Sequence, residues 1–377
     1  MSSLPLNRAI QAQPFRADRW GNKWSQDGLQ LQFGNGALTT SIRLGPQALM
    51  ALTTQLGGVI DRFEDAAGLI WCEDPAAHGA CTEARLQWHE WPVADPAAAR
   101  LAERLFRSIK NLPLTGFERS FKLLAGQLWR DRFLVGLRTA ALPAPDLERL
   151  AESLGMPAAL RAALGARQPE ASFVHIGFEH GAGHSTYKLY LEFPRTVALA
   201  AACTQVPAPL YLGFKWNPQD SARCTVSSYA QPQSLALADA AQRIAVAYGD
   251  SGNSGNASKA GDAGHANGFV SQLAVDIVTQ AARASASATV QFVEVTEDNS
   301  ARLSFDVNLY DSALTVCDLR APLQALATNF GVPTADFSAL MAQTADHLAG
   351  HVSGGTDRAG RPFLTLYHAP PAGLAPP

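Results

Sequence analysis

The chain has 377 residues, 47% of them hydrophobic, and can bury a sizeable core in one large domain or two. Its net charge is −3, and the absence of any lysine or arginine run argues against a nucleic-acid footprint or a polybasic membrane patch. The N-terminus has no signal-peptide pattern and the longest apolar runs, such as VALAAAC at 197–203, are too short to span a bilayer, so we expect a cytoplasmic protein.

Five pairs of segments with period-2 alternation predict β-hairpins along the chain. In order, they are LIWCED with EARLQWHEW, FVHIGFE with TYKLYLEF, PLYLGFKW with RCTVSSYA, TVQFVEV with ARLSFDVNL, and HLAGHVS with RPFLTLYH. Stretches with helical spacing lie between most of them, at 94–110, 144–166, 232–247, 269–285, 318–330 and 335–348. A possible hairpin at 28–44 precedes the series and has no clear place in it.

Two segments are poor in residues that could enter a core. Residues 249–268 are rich in Gly, Ser, Asn and Ala and predict a mobile loop within the fold, and residues 370–377 predict a disordered tail. We therefore expect a single domain over 1–377, with the hairpin repeats in 65–370. The five cysteines have scattered spacings without a ligand cluster, which predicts reduced, mostly structural thiols and no zinc site.

The second strand of every hairpin has a polar face with a cation near its start. These cations are Arg85, Lys188, Arg223, Arg302 and Arg361. The opposite faces are largely apolar, as in Leu189, Leu191 and Phe193. If helices cover the apolar faces and the ten strands close, the polar faces share one lumen wide enough to enclose a ligand. This alternation predicts an α+β fold, a closed antiparallel ten-stranded barrel ringed by helices.

Basic and phenolic side chains in such a lumen suit an anionic ligand with several oxygens, because both give hydrogen bonds to phosphate oxygens. The repeated helix and hairpin units, with Lys188-Leu189-Tyr190 on one inner strand and RPFLTLYHAP as the last strand, resemble the ABBA, or PT-barrel, aromatic prenyltransferases. The closest likeness is to the dimethylallyltryptophan synthase branch, with some similarity to the cyanobactin prenyltransferases.

The resemblance implies a prenyl diphosphate donor, dimethylallyl or geranyl, and a small-molecule or peptide aromatic acceptor. It implies that diphosphate is bound by Arg85, Lys188, Arg223, Arg302 and Lys215. Tyr190, Tyr229 and Tyr367 would shield the allylic cation, and Glu73 would be the catalytic carboxylate that handles the acceptor's proton. Beyond the donor substrate no cofactor is required; Mg²⁺ is possible, although no DDxxD motif occurs. We expect a monomer or weak homodimer.

Several features depart from the family pattern or have simpler explanations. The family's R-x-K-x-Y motif is Arg223-Cys224-Thr225-Val226-Ser227 here, and Ser304 stands where the fourth hairpin would carry a tyrosine. Glu73 could be an ordinary strand-end carboxylate, and Tyr367 a packed aromatic. His347 and His351 are four residues apart, but Gly350 favours the end of a helix there over a metal pair.

Two functions of different class follow. The first is an aromatic prenyltransferase that modifies an indole, a phenol or a peptide side chain. The alternative is a catalytically reduced barrel that binds a small anionic or amphipathic ligand, or a partner peptide, without chemistry.

Overall fold

The structure is a computed structural model. It describes residues 95–109, 112, 116–193, 209–230, 232–249, 262–298 and 300–369, together with the backbone of six short strands before residue 87.

The six short strands form two small antiparallel sheets separate from the main sheet. One contains β1 (Ile10–Ala12), β2 (Leu29–Gly34) and β3 (Thr39–Leu44), and the other contains β4 (Arg62–Glu64), β5 (Leu69–Cys72) and β6 (Glu83–Leu86). The predicted pairing of LIWCED with EARLQWHEW is thus present as β5 and β6, but its predicted place in the barrel is wrong. Strands of four residues span only about 13 Å, less than the longer strands that form the barrel wall.

The other elements follow in chain order from residue 96. They are α1 (Pro96–Ile109), β7 (Gly116–Leu124), β8 (Gln127–Trp129), β9 (Arg132–Arg138), α2 (Ala144–Ser153), α3 (Ala158–Arg167), β10 (Phe173–Gly181), β11 (His184–Glu192), β12 (Tyr211–Asn217), β13 (Asp220–Tyr229), β14 (Gln233–Ala236), α4 (Leu237–Ala247), α5 (Asp262–Ala284), β15 (Thr289–Glu297), β16 (Leu303–Asn308), α6 (Arg320–Asn329), α7 (Thr334–Thr344), β17 (Leu348–Thr356) and β18 (Pro362–Ala369).

Ten of these strands close into one antiparallel barrel. Their order around the wall is β7, β9, β10, β11, β12, β13, β15, β16, β17 and β18, and β18 pairs with β7. The seam between β13 and β15 is closed by three pairs of residues, Ser227–Glu297, Ser228–Thr296 and Tyr229–Val295. Two short strands lie beside the barrel wall: β8 pairs with β7, and β14 pairs with β15. The predicted closed ten-stranded barrel is confirmed, with β7 and β9 as its first hairpin.

The hydrophobic core is a shell between the barrel wall and the helices. Outward-facing residues of β9 to β12, among them Leu189 and Trp216, pack against helices α1 to α3. The outer faces of β7 and β15 to β18 pack against α4 to α7, with Phe305 and Leu366 at their centre. Because side chains alternate along a strand, the residues between these apolar positions point into the lumen.

Several predicted boundaries differ from the observed ones. The predicted helix 232–247 begins as strand β14, and the predicted loop 249–268 ends earlier than expected, because α5 already starts at Asp262. Residues 250–261 and 370–377 lie outside the described residues, and the single-domain expectation stays a prediction. Among the described helices, none combines the length and apolar character that crossing a membrane requires.

Candidate functional site

The barrel lumen contains a cavity of about 530 Å³ with a strongly charged wall. Its lining includes eight basic and four acidic side chains, so the formal charge of the wall is positive. The basic residues are Lys122, Arg132, Lys188, Lys215, Arg223, Arg302, Arg358 and Arg361, and the acidic ones are Glu179, Glu297, Asp306 and Asp357. A concave site with this excess of cations favours an anionic ligand.

The basic residues divide into an inner group and a rim. Arg223, Arg358 and Arg361 are more than half exposed and ion-paired, to Asp220, Glu297 and Asp357 respectively. The other five basic residues lie inside the barrel and are called here the cationic cluster: Lys122, Arg132, Lys188, Lys215 and Arg302.

Two carboxylates hold most of the cationic cluster in place. Glu179 accepts from Lys188 at 2.6 Å and pairs with Arg132 at 3.0 Å, and Glu297 pairs with Arg302 at 2.7 Å. Burial raises the pKa of Glu179, but Arg132, Lys188 and Lys122 outweigh it and hold that pKa well below its usual range. Burial likewise raises the pKa of Glu297, but Lys215, Arg302 and Arg358 outweigh it and lower that pKa. Both carboxylates are thus ionised, and each fixes the cations around it.

Lys122 is the exception within the cluster. No hydrogen bond or ion pair joins its Nζ to another described residue; the ammonium lies 4.0 Å from the ring centroid of Phe363 and 5.1 Å from that of Trp129. Burial, together with nearby Arg132, Arg302 and Lys188, lowers its pKa to about 7 against the attraction of Glu179. A bound anion would stabilise the charged form of this lysine more than it stabilises the charged forms of its neighbours.

In Lys215 and Lys188, too, burial disfavours the charged ammonium, to different degrees. Burial is the largest cause in both, and it lowers the pKa of Lys215 to about 7 and that of Lys188 to about 8. Lys215 donates to Ser227 at 2.9 Å and lies 3.9 Å from Glu297. The cluster is therefore only partly protonated near neutral pH, and an anion in the cavity would complete its protonation.

A belt of three tyrosines lies beside the cationic cluster. Tyr190, Tyr229 and Tyr367 line both this cavity and a smaller one of about 60 Å³ deeper in the barrel. The rings of Tyr190 and Tyr229 meet edge to face at 5.8 Å, and burial raises the pKa of both hydroxyls. The belt presents neutral aromatic side chains, which stabilise a cation through their π faces.

Glycine at position 213 makes room for this belt. A Cβ atom there would lie 2.7 Å from the ring of Tyr190, closer than side chains pack. The missing side chain on β12 therefore lets Tyr190, which is paired with Gly213 across the strands, lie over the backbone.

The smaller cavity, called here the lower cavity, is lined by two histidines that each pair with a carboxylate. His175 meets Glu192 at 2.7 Å, and His351 meets Asp306 at 2.7 Å. Below them, buried Glu118 accepts a hydrogen bond from the hydroxyl of Tyr310 at 2.9 Å. No group of three or more His, Cys, Asp or Glu with metal-binding geometry occurs in the described part of the chain.

The structure brings most of the predicted site residues together. Lys188, Lys215, Arg302 and the tyrosines Tyr190, Tyr229 and Tyr367 line one cavity; Arg223 also borders it, but at the exposed rim. Arg85 lies on β6, in a sheet separate from the barrel, so its predicted place on a barrel strand is wrong. Glu73 lies outside the described residues.

Two members of the cationic cluster, Lys122 and Arg132, were not predicted from the sequence. Both belong to the first barrel hairpin, β7 and β9, which the hairpin pattern did not identify. The alternation Glu118, Ser120, Lys122 in GFERSFKLL was the available signal.

Comparisons with known proteins give matches only among solved structures. No protein-family model matches the chain, and no curated protein matches it. The NotF prenyltransferase structure is 10% identical, with a TM-score of 0.44, over 69% of this chain and 81% of NotF. AnaPT from Neosartorya fischeri is 11% identical, with a TM-score of 0.40, over 71% and 80% of the two chains. NotF in complex with brevianamide F and DMSPP is 11% identical, with a TM-score of 0.41, over 71% and 81%.

The fold rests on the strand pairing of this chain itself. Antiparallel hairpins alternate with helices, the ten strands close, the helices cover the outside, and the polar faces share a lumen. The resemblance to the ABBA proteins is confirmed at the level of architecture: this chain has the PT-barrel fold.

Proposed function

We propose that this protein is an aromatic prenyltransferase that transfers a prenyl group from an allylic diphosphate to an aromatic ring. The observation that carries the proposal is the placement of the cationic cluster and the tyrosine belt around one cavity. Prenyl transfer needs cations at the leaving diphosphate and π faces around the allylic cation, and this cavity offers both.

The cationic cluster would bind the diphosphate. Lys122 is the most direct contact, because its ammonium has no hydrogen-bond or ion-pair partner among the described residues. Lys188 and Arg302 each have donors left after pairing with one carboxylate, since an ammonium carries three N–H groups and a guanidinium five. As the C–O bond breaks, charge grows on the leaving oxygen, and these fixed donors stabilise it.

The tyrosine belt would hold the prenyl chain. Tyr190 and Tyr229 are uncharged at neutral pH, and burial raises the pKa of their hydroxyls further. Their rings can therefore stabilise the carbocation without a phenolate that would capture it. The acceptor, which we propose to be an indole, a phenol or a peptide aromatic side chain, would then attack the allylic carbon. Glu73 remains a predicted catalytic carboxylate.

One observation favours the alternative of a barrel that binds without chemistry. Glu179 and Glu297 neutralise part of the cationic cluster, which weakens its attraction for a diphosphate. The two functions differ in product formation: a binder retains an anionic or amphipathic ligand unchanged, whereas a transferase releases diphosphate only when an aromatic acceptor is supplied.

Titration calorimetry with dimethylallyl and geranyl diphosphates tests the donor site. Lys188→Ala should weaken donor binding by about tenfold or more, because a hydrogen bond to a charged group contributes about 1.5 to 3 kcal/mol. Arg107→Ala is the matched control, since Arg107 is a surface residue paired within α1. Equal affinities of wild type and Lys188→Ala would contradict the assignment.

A further inference from the structure

One histidine–carboxylate pair of the lower cavity has the arrangement of a general base. Asp306 on β16 and His351 on β17 both project into the lumen, where they line the lower cavity. Their strands are paired so that Asn308 lies opposite His351 and Asp306 opposite Ser353. Asp306 and His351 are therefore diagonal neighbours across the two strands, and His351 Nδ1 lies 2.7 Å from Asp306 Oδ1.

The contact with Asp306 fixes the tautomer of His351. An ionised carboxylate only accepts hydrogen bonds, so Nδ1 of the neutral ring carries the proton and Nε2 carries the lone pair. His351 is 5% exposed, and its Nε2 is buried without a hydrogen-bond partner among the described residues. A buried acceptor without a partner is costly in a finished structure, which favours a ligand that donates to it or loses a proton to it.

The surroundings of His351 place its imidazole ring beside the tyrosine belt. The ring of Tyr367 meets the imidazole edge to face at 6.2 Å, and that of Tyr310 does so at 5.5 Å. The Tyr310 hydroxyl is already used, because it donates to Glu118. Lys188, Tyr190, Tyr229, Asp306 and Tyr367 line both cavities, so the lower cavity adjoins the proposed donor site.

We propose that His351 is the catalytic base that takes the proton from the aromatic acceptor, and that Asp306 is its positioning residue. This inference rests on the proposed function and gives His351 the proton transfer that the family resemblance implied for Glu73. A ring that enters from the side of the lower cavity would meet the allylic carbon at the tyrosine belt, with the diphosphate held at the cationic cluster.

Prenyl transfer with His351 as the base consists of bond formation, bond cleavage and proton loss. A π electron pair of the acceptor forms the bond to the allylic carbon, and the C–O bond breaks with its electron pair leaving on diphosphate. The ring carbon that was attacked then loses its proton to His351 Nε2, and the C–H electron pair restores aromaticity. The resulting imidazolium is stabilised by Asp306 and returns its proton to solvent or to the departing diphosphate.

The histidine's role is tested with His351→Asn in the full chain, using dimethylallyl diphosphate and an acceptor that the wild type prenylates. Asparagine keeps a polar amide next to Asp306 but cannot take the proton, so kcat of transfer should fall by about 100-fold or more. The KM for the donor and its calorimetric affinity should stay within about threefold, because the cationic cluster is intact. Added imidazole should restore transfer in His351→Gly, because glycine has no side chain and leaves space for it.

The role of Asp306 in positioning His351 is tested with Asp306→Asn, which should lower kcat by about tenfold or more with little change in donor affinity. His180→Asn is the control, since His180 lies on the outer face of β10 and contacts Ser185. Wild-type kcat in His351→Asn, or a loss of donor binding that equals the loss of transfer, would overturn the assignment. Failure of the proposed function looks different: the wild type itself would bind donor without transfer, or not bind it, and that result would overturn both proposals.

Discussion

Replacing Lys122 with arginine tests whether the cationic cluster binds an anion. The pKa of Lys122 is lowered from 10.5 to about 7 in the ligand-free cavity, which corresponds to a free-energy penalty on the order of 5 kcal/mol for its charged form. At pH 8 roughly 90% of such lysines are neutral. A bound diphosphate favours the ammonium, so binding must take protons from solution.

The size of this uptake follows from the same pKa values. Lys122 and Lys215 both have a pKa of about 7, so we expect donor binding at pH 8 to take up about two protons. Lys122→Arg keeps the positive charge at every accessible pH, because a guanidinium does not titrate there, and should take up about one proton fewer. Donor binding itself should persist in this variant.

The assay is calorimetric titration of dimethylallyl diphosphate in buffers of different ionisation enthalpy, at pH 8 and at pH 6. At pH 8 the observed enthalpy should depend on the buffer more strongly for wild type than for Lys122→Arg, and this difference should largely disappear at pH 6, where Lys122 is already charged. Above pH 7 the terminal phosphate of the donor is largely ionised, so its own titration contributes little. Equal proton uptake by wild type and Lys122→Arg, or no uptake by either, would refute the reasoning.

Three further predictions concern stability and the tyrosine belt. The folded pKa of Lys122 and of Lys215 is about 7, below the ordinary lysine value of 10.5, so between pH 7 and pH 10 the unfolded chain binds more protons. The free energy of unfolding of the ligand-free protein should therefore rise with pH in this range by about 1 kcal/mol per pH unit for each lysine, and denaturant unfolding of Lys122→Met should show a smaller rise. Gly213→Ala should displace Tyr190 from the backbone of β12 and lower the rate of prenyl transfer, while calorimetry shows donor affinity within about threefold of wild type; an unchanged rate would argue against a role of Tyr190. Deleting residues 251–260 should leave the melting temperature within a few degrees, because their composition cannot repay the entropy of ordering, and a large drop would contradict that argument.

Alternation along single strands made the barrel predictable. In β11, buried Leu189 and Leu191 face the helices while Lys188 and Tyr190 face the lumen, as the period-2 pattern requires. The repeat of this pattern in five hairpins, four of which lie in the barrel, predicted both the closure of the sheet and the polarity of its interior. The predicted convergence of Lys188, Lys215, Arg302 and three tyrosines followed from the same alternation.

The first barrel hairpin was not predictable in the same way. The run Phe133-Leu134-Val135-Gly136-Leu137 in β9 is apolar without a break, because Leu134 faces the lower cavity while its neighbours face the helices. A strand with apolar residues on both faces shows no period-2 signal. The short segments around Leu69 and Arg85 alternate more clearly, and they form a pair outside the barrel.

The pairing of charges across strands could not be predicted from the sequence either. The contact between His351 and Asp306 depends on the register of β16 and β17. Likewise, Glu179 meets Lys188 because a two-residue turn pairs β10 with β11. Register is a property of the folded sheet, and a shift of one residue would turn each of these side chains to the opposite face.

The most direct test of the central claim is a crystal structure of the protein with an unreactive thiolodiphosphate analogue of dimethylallyl diphosphate. We expect the diphosphate to lie in the lumen within hydrogen-bonding distance of Lys122, Lys188 and Arg302, with the prenyl chain against Tyr190 and Tyr229. A diphosphate bound only to the exposed arginines of the rim, with the ion pairs of Glu179 and Glu297 unchanged and the tyrosine belt unoccupied, would contradict it.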